Sequence, residues 1–428
     1  MYPYPNHTYA QYLIKHRFVP SIADFPVQAP QIIVTIPSFK EPALLNSLQS
    51  LYRCRMPSRF VEVIVAVNHP EHANEDSKRQ NQQNLCEVQK FAKQYNNNNI
   101  WFHAVYKPDI PEKISGVGYA RKIAMDEAVY RFYTTGVADG VIVGFDADSA
   151  CDENYFEEIE RCFFSGRTVN GASIYFEHPI EGNDYDTCVY EGVTSYELHL
   201  RYLNQALRYA GFPYAFHTVG SSFAVSASAY VRQGGMNKRK AGEDFHFLQK
   251  IIPLGDYAEI NATRVIPSPR PSDRVPFGTG ASIRQWLNGN REVLQTYPLE
   301  PFEDLRKWFA LVPYLFKANP NDITKLFASL AAPLQDYLLQ NHYLEHIAQA
   351  NANSASHETF AKRFFAWFDG LKTVKYLNDS FRNVYAKHSP EMAAGRLLQK
   401  LGYEYDLQAR ELLQKYREIE RENSSPRI

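Results

Sequence analysis

Over residues 30–265 the chain alternates short, β-branched apolar runs with segments whose apolar residues recur every three or four positions. The runs predict strands at 32–37, 61–67, 101–105, 141–145, 172–176, 221–225 and 257–265. The intervening periodicity predicts helices. One carries Leu44, Leu45, Leu48 and Leu51 on a single face, and a surface helix surrounds Leu85, Val88 and Phe91. Others cover 120–132, 155–164 (capped by Asp152) and 193–209, and a further one opens at Gly242 with Phe245, Leu248 and Ile252 inward. Strands that alternate with helices predict a Rossmann-like, mostly parallel sheet flanked by helices, with right-handed crossovers.

Beyond residue 297 the pattern is helical only, in segments 302–316, 322–349, 356–369, 371–386 and 390–421. Ser389-Pro390 reads as an N-cap and first helical residue, and Gly402 as a stop. The expected organisation is therefore an extended, Pro- and Tyr-rich lead-in over 1–30, an α/β domain over 31–290 and an all-α C-terminal domain over 291–428. Residues 267–280 are too rich in Pro and Gly for regular structure, and a loop of that length suits a lid. The apolar segment 308–316, broken by Pro313, suits core burial, with a homodimer interface through the C-terminal helices or peripheral membrane contact left open.

Composition narrows the class. With 45% hydrophobic and 22% charged residues among 428, the chain has the make-up of a folded globular protein. A net charge of −1 speaks against a nucleic-acid partner. Five cysteines with no C-x-x-C spacing speak against a zinc site or a disulfide framework and fit a reducing compartment. No signal-peptide layout and no run of 18 apolar residues is present, so the expected location is the cytoplasm, with contact at the inner membrane face left open.

The candidate chemistry centres on residues 141–148. Four apolar residues and a glycine, Val141-Ile142-Val143-Gly144-Phe145, run into Asp146-Ala147-Asp148. A buried strand ending this way delivers two carboxylates to the sheet's carboxyl edge, where open α/β sheets bind ligands. At i and i+2 they share one side, roughly 6.5–7 Å apart at Cα. Such a pair repels itself unless a cation intervenes. Oxygen ligands favour Mg²⁺ or Mn²⁺, with water and phosphates completing the shell. The same spacing also serves as a loop start followed by a helix N-cap.

Four segments taken together, 32–41, 118–122, 145–148 and 242–244, resemble glycosyltransferase family 2 on the GT-A fold, over residues 30 to about 285. The resemblance implies an enzyme that moves a sugar from a UDP- or GDP-sugar donor to a hydroxyl of a glycan or small-molecule acceptor. It implies that Pro37, Ser38 and Glu41 hold base and ribose. Asn68 stands where many members have an aspartate that reads the base. Gly118, Arg121 and Lys122 approach the nucleotide, with the cations toward the diphosphate. Asp146 contacts ribose or metal, and Asp148 ligates the divalent ion, Mg²⁺ or Mn²⁺. Asp244 is implied as the general base of an inverting displacement, with Glu243 orienting the acceptor. Acidic residues at a helix start also serve simply as caps. His246, two residues on, lies nearly on the opposite helix face. In the 267–280 loop Arg270 and Arg274 are candidate anion clamps and Asp273 a candidate ligand.

Three rivals stay open. A retaining enzyme on the same fold would use Asp244 only to orient the acceptor. A sugar nucleotidyltransferase would carry a Gly-rich basic loop after the first strand, unlike Pro37-Ser38-Phe39-Lys40. An idle scaffold would have no use for converging carboxylates.

Overall fold

The structure is a computed structural model that describes residues 6–26, 28–274, 278–289, 294–404 and 408–422. The chain divides into two compact units. One comprises Met1–Gly182, Thr218–Gly278 and Glu420–Ile428, the other Asn183–His217 and Thr279–Ile419.

The first unit is built on eight strands: β1 Ile32–Ser38, β2 Val61–Pro70, β3 Ile100–Ile110, β4 Val141–Gly144, β5 Ala150–Cys151, β6 Gly171–Phe176, β7 Phe223–Ser226 and β8 Tyr257–Ile266. They form one sheet in the order β3-β2-β1-β4-β7-β6-β8-β5. The β3-β2-β1-β4 half is parallel, as the strand–helix alternation requires. The other half is mixed, because β7 runs against β4 and β6, and β5 against β8. This is the α/β arrangement expected, with helices flanking the sheet. Strand β4 is buried throughout. A Cβ at Gly144 would lie 2.3 Å from the Phe223 ring, so only glycine lets that ring cross the strand. Register sets Ser38 beside Val67 and Gly144 beside Thr35. The segments after β1, β2 and β4 therefore leave the sheet at one carboxyl edge.

The helices of this unit are α1 Asn6–Lys15, α2 Leu44–Tyr52, α3 Glu75–Tyr95, α4 Val117–Thr135, α5 Tyr155–Phe163, α7 Ala227–Arg232 and α8 Glu243–Ile251; α6, Thr187–Tyr209, belongs to the second unit. The start of the chain departs from expectation. Residues 6–15 are helical, not extended, and bury Tyr9, Tyr12 and Leu13 at i, i+3 and i+4. What holds this lead-in is a set of buried charges on α4. Asp126 accepts from the Tyr12 hydroxyl at 2.7 Å, Glu127 from the N–H groups of Ser21 and Ile22, and Arg131 donates to the carbonyl of Asp24. Asp152 does not cap α5, whose N-cap is Asn154; it pairs with Arg264 at 3.1 Å instead.

The second unit is helical: α6, then α9 Thr279–Leu287, α10 Glu300–Leu315, α11 Pro320–Ala328, α12 Ala332–Gln340, α13 Tyr343–Ala352, α14 His357–Trp367, α15 Gly370–Asn383 and α16 Pro390–Lys400. Ser389 caps α16, accepting from the Met392 N–H at 3.3 Å. The periodicity over 322–349 resolves into three helices. Pro333 restarts the chain as α12, and His342, at φ 53, turns it into α13. The apolar segment 308–316 is largely core. Trp308 and Phe309 each pack 5.3 Å from the rings of Phe364 and Phe365 respectively, whereas Tyr314 is exposed. No described helix is long and apolar enough to cross a membrane.

Candidate active site

Two knots of charge lie at the carboxyl edge of the first unit's sheet. The inner one is centred on Arg121, in the second turn of α4. Its Nη2 donates to Asp146 Oδ1 at 2.6 Å and its Nε to Glu243 Oε1 at 2.9 Å. Arg121 is almost wholly buried, yet its Nη1 has no hydrogen-bond partner among the described residues. Local backbone features bring these groups together. A Cβ at Gly118 would lie 2.5 Å from the Arg239 carbonyl, so glycine allows α4 to start flush against the segment that precedes α8. Gly242, at φ 66, makes the left-handed turn into α8. Asn237 then donates to the Glu243 carbonyl at 2.8 Å. Asp244 accepts the Phe245 N–H at 2.7 Å.

The outer knot joins Glu41 and Asp148 through two arginines of the 267–280 loop. Arg270 Nη2 donates to Glu41 Oε2 at 2.7 Å and lies 3.6 Å from Asp148 Oδ2. Arg274 Nη1 donates to the same Glu41 oxygen at 2.6 Å, and its Nη2 to Asp148 Oδ2 at 3.2 Å. Glu41 is fully buried, its other oxygen taking the Ala43 N–H at 2.9 Å. Residues 275–277 of the loop lie outside the described residues. Asp273 is exposed.

At the ends of β1 and β2, Ser38 and Asn68 are buried, and the Ser38 hydroxyl has no partner among the described residues. Pro37 sits just before it in β1. Two asparagines of α3 brace this edge. Asn81 donates to the Asn68 carbonyl and accepts from the Lys40 N–H, while Asn84 donates to the Glu41 carbonyl at 2.6 Å.

Lys122 goes elsewhere. Its ammonium bonds Asp126 at 2.9 Å and the Tyr12 hydroxyl at 2.9 Å, and Tyr230 donates to the same aspartate at 2.7 Å. That cluster ties α1 to α4 and α7. His246 follows Asp244 on α8, its ring 5.5 Å from that of Phe245.

The electrostatics follow from burial and crowding. Burial, then the carboxylate of Asp146, pushes Asp148 up to about 6, against the pull of Arg274. Burial, then Glu243, pushes Asp244 up to about 7, with Arg121 opposing. Burial works against the charge on Arg121, but Asp146, Glu243 and Asp244 reverse it and hold the guanidinium above its ordinary value. The site thus carries carboxylates in excess of its cations. Among the described residues no three His, Cys, Asp or Glu side chains gather as a metal cage. The two aspartates nevertheless fit an ion of the kind held by one or two carboxylates, with water and phosphate oxygens completing its shell.

Three contributors escape sequence reasoning. Asn81 and Asn84 lie in a Gln- and Asn-rich stretch that reads as a solvated face, yet both are fully buried. Gly220 precedes β7, where a Cβ would lie 2.3 Å from Arg121 Nη2 and 3.2 Å from Asp244 Oδ2. No pattern around it signals that constraint.

No family model and no curated protein matches the chain. Solved structures similar to it include residues 1–349 of TarS from S. aureus in complex with UDP-GlcNAc, at 11% identity and TM-score 0.40, covering 78% of this chain and 91% of that one. The same protein in complex with UDP is 14% identical, covers 92% and 89%, and has a TM-score of 0.32. The mannosyltransferase PcManGT from Pyrobaculum calidifontis, in complex with GDP-Man and Mn²⁺, is 16% identical, covers 88% and 93%, and has a TM-score of 0.33.

Proposed function

We propose that the chain is a glycosyltransferase that takes a sugar from a UDP- or GDP-sugar and passes it to an acceptor hydroxyl with inversion. The observation that carries this reading is convergence. Carboxylates from three separate segments, Glu41, Asp146 with Asp148, and Glu243 with Asp244, meet three arginines at one sheet edge. Structural ion pairs need no such excess of acid, and no buried guanidinium nitrogen or hydroxyl left without a partner.

In this reading Ser38 and Asn68 receive the base and ribose at the ends of β1 and β2. Asp146 and Asp148 hold the divalent ion, which when bound supplies Lewis-acid neutralisation of the diphosphate. Arg270 and Arg274 exchange Asp148 for phosphate oxygens, and Glu41, fully buried, keeps them in place as they do so. Arg121 holds Asp146 and Glu243 in register. Asp244 takes the proton of the acceptor hydroxyl as its oxygen bonds to the anomeric carbon and the bond to the diphosphate breaks. A carboxylate raised to about 7 is a stronger base than a solvated one and is still ionised at mildly alkaline pH.

The test is nucleotide release from UDP- and GDP-sugars with Mn²⁺, with the anomer of any product read by NMR. Release that disappears in Asp148→Ala, with an inverted product, supports the reading. A retained anomer removes Asp244 from the role of base. No release from any donor overturns the proposal.

A further inference from the structure

Cys54 and Cys151 are 97 residues apart in sequence, yet their sulfurs lie 3.5 Å from each other. The other three cysteines are free as well, and Cys86 and Cys188 are exposed. The contact is held from both sides. Cys54 follows the end of α2 and bonds the Ser50 carbonyl through its thiol at 3.4 Å. Cys151 lies in β5, and its N–H donates to the Ser50 hydroxyl at 2.8 Å. One turn earlier on α2, the Ser47 hydroxyl donates to the Ala147 carbonyl at 2.8 Å. Helix α2 therefore grips the chain on both sides of Asp148, and the thiol pair closes that grip. Strand β5 in turn pairs with the end of β8, Ala150 beside Ile266, from which the loop with Arg270 and Arg274 departs.

We propose that Cys54 and Cys151 form a reversible, redox-responsive dithiol that closes to a disulfide and thereby shifts the Asp148 segment. The second half of the proposal, a change in donor binding, rests on the function proposed above; the first half does not. Closure requires the sulfurs to approach from 3.5 Å to about 2.05 Å, a movement of the order that side-chain rotation and a small strand shift supply. Cys151 is half-buried and Cys54 buried, so Cys151 meets the oxidant. The co-reactant is a low-molecular-weight disulfide such as oxidised glutathione. The Cys151 thiolate attacks one of its sulfurs and displaces one thiol, giving a mixed disulfide. Cys54 then loses its proton to solvent and attacks the Cys151 sulfur, releasing the second thiol. Two electrons pass from the protein pair to the reagent. The hydrogen bond with Cys151 and burial push the Cys54 thiol above its ordinary value.

Because closure draws β5 toward α2, Asp148 shifts away from the position in which it would hold the divalent ion with Asp146, and donor affinity falls. Dithiothreitol restores it. The experiment treats the full chain with oxidised glutathione, alkylates the remaining thiols and maps disulfides by mass spectrometry. Expected is a peptide pair joining residues 54 and 151, with Cys86, Cys162 and Cys188 alkylated. Cys54→Ser and Cys151→Ser each remove that pair and, being near-isosteric, leave the melting temperature within a few degrees. UDP and GDP binding, measured on oxidised and reduced protein, should fall at least fivefold on oxidation and only in the wild type. Absence of the 54–151 peptide, or only mixed disulfides with glutathione, overturns the site. The peptide with unchanged nucleotide affinity overturns the coupling to Asp148. If neither oxidised nor reduced protein binds a nucleotide, the peptide still decides the site, and it is the functional reading that has failed.

Discussion

Arg121 and Lys122 are neighbours on one helix, both buried, both cations, and they belong to different kinds of structure. Lys122 is closed off by Asp126 and the hydroxyls around it, one carboxylate for one ammonium. Arg121 faces three carboxylates, two of them bonded to it, and keeps an Nη1 with no partner among the described residues. A balanced, satisfied cluster fixes chain geometry, here the docking of α1. An unbalanced one holds charge and hydrogen-bonding capacity in reserve, which is what a site for a charged ligand needs. Sequence spacing cannot separate the two, because helical neighbours point about 100° apart and only the surrounding segments decide where each arrives.

Substitutions can break or sharpen this contrast. The largest effect is expected at Asp244. Asp244→Asn should lower turnover by about 10²–10⁴-fold, the range for a lost general base, and should lack the rise of kcat/KM with pH through about 7 that is expected of the wild type. Its stability should change in the opposite sense. A carboxyl raised in the folded state favours the protonated form, so the stability it contributes is present below the ordinary carboxylate range and is lost as pH rises through about 7. Urea unfolding at pH 5 and 8 should therefore show a smaller loss of stability across that range in Asp244→Asn than in the wild type. An equal loss in both would show that Asp244 is not the buried acid described.

Next comes the pair itself. Lys122→Met should cost about 3–5 kcal/mol, the cost of leaving one partner of a buried ion pair alone, while the folded fraction keeps its turnover. Arg121→Met should cost turnover, about 10²–10³-fold if its loss matches that of one preorganised donor. Denaturant curves and activity per folded molecule, measured together, separate them. The contrast fails if both lose only stability.

Smaller effects are expected further out. Arg274→Ala removes charge-assisted hydrogen bonds of about 1.5–3 kcal/mol each, so donor affinity should weaken roughly tenfold or more, read by calorimetry. Tyr12→Phe should destabilise by about 1–3 kcal/mol through the unsatisfied Asp126 and leave donor affinity unchanged.

How much of this was legible beforehand follows from the same physics. Strands β1, β2, β4 and β6 announced themselves because both their faces are buried, which demands continuous apolar runs such as Val141-Ile142-Val143. The carboxylates Asp146 and Asp148 stood out because they end such a run. Helix α1 did not, since two of its three buried residues are Tyr9 and Tyr12, whose polar tips obscure a helical stripe. Lys122 was misleading for the reason given above. Asn81, Asn84 and Gly220 were silent because their roles depend on partners 13 to 43 residues away in the chain or on the space beside them, which no local pattern records.

The central claim is that the unbalanced knot is a donor site. Calorimetric or thermal-shift titration with UDP and GDP, with and without Mn²⁺, on wild type and Asp148→Ala tests it most directly. Metal-dependent stabilisation by one nucleotide, about 2.7 kcal/mol at 100 times its dissociation constant and absent in Asp148→Ala, is the expected result. No response to either nucleotide in the presence of metal, or an equal response in Asp148→Ala, would contradict it.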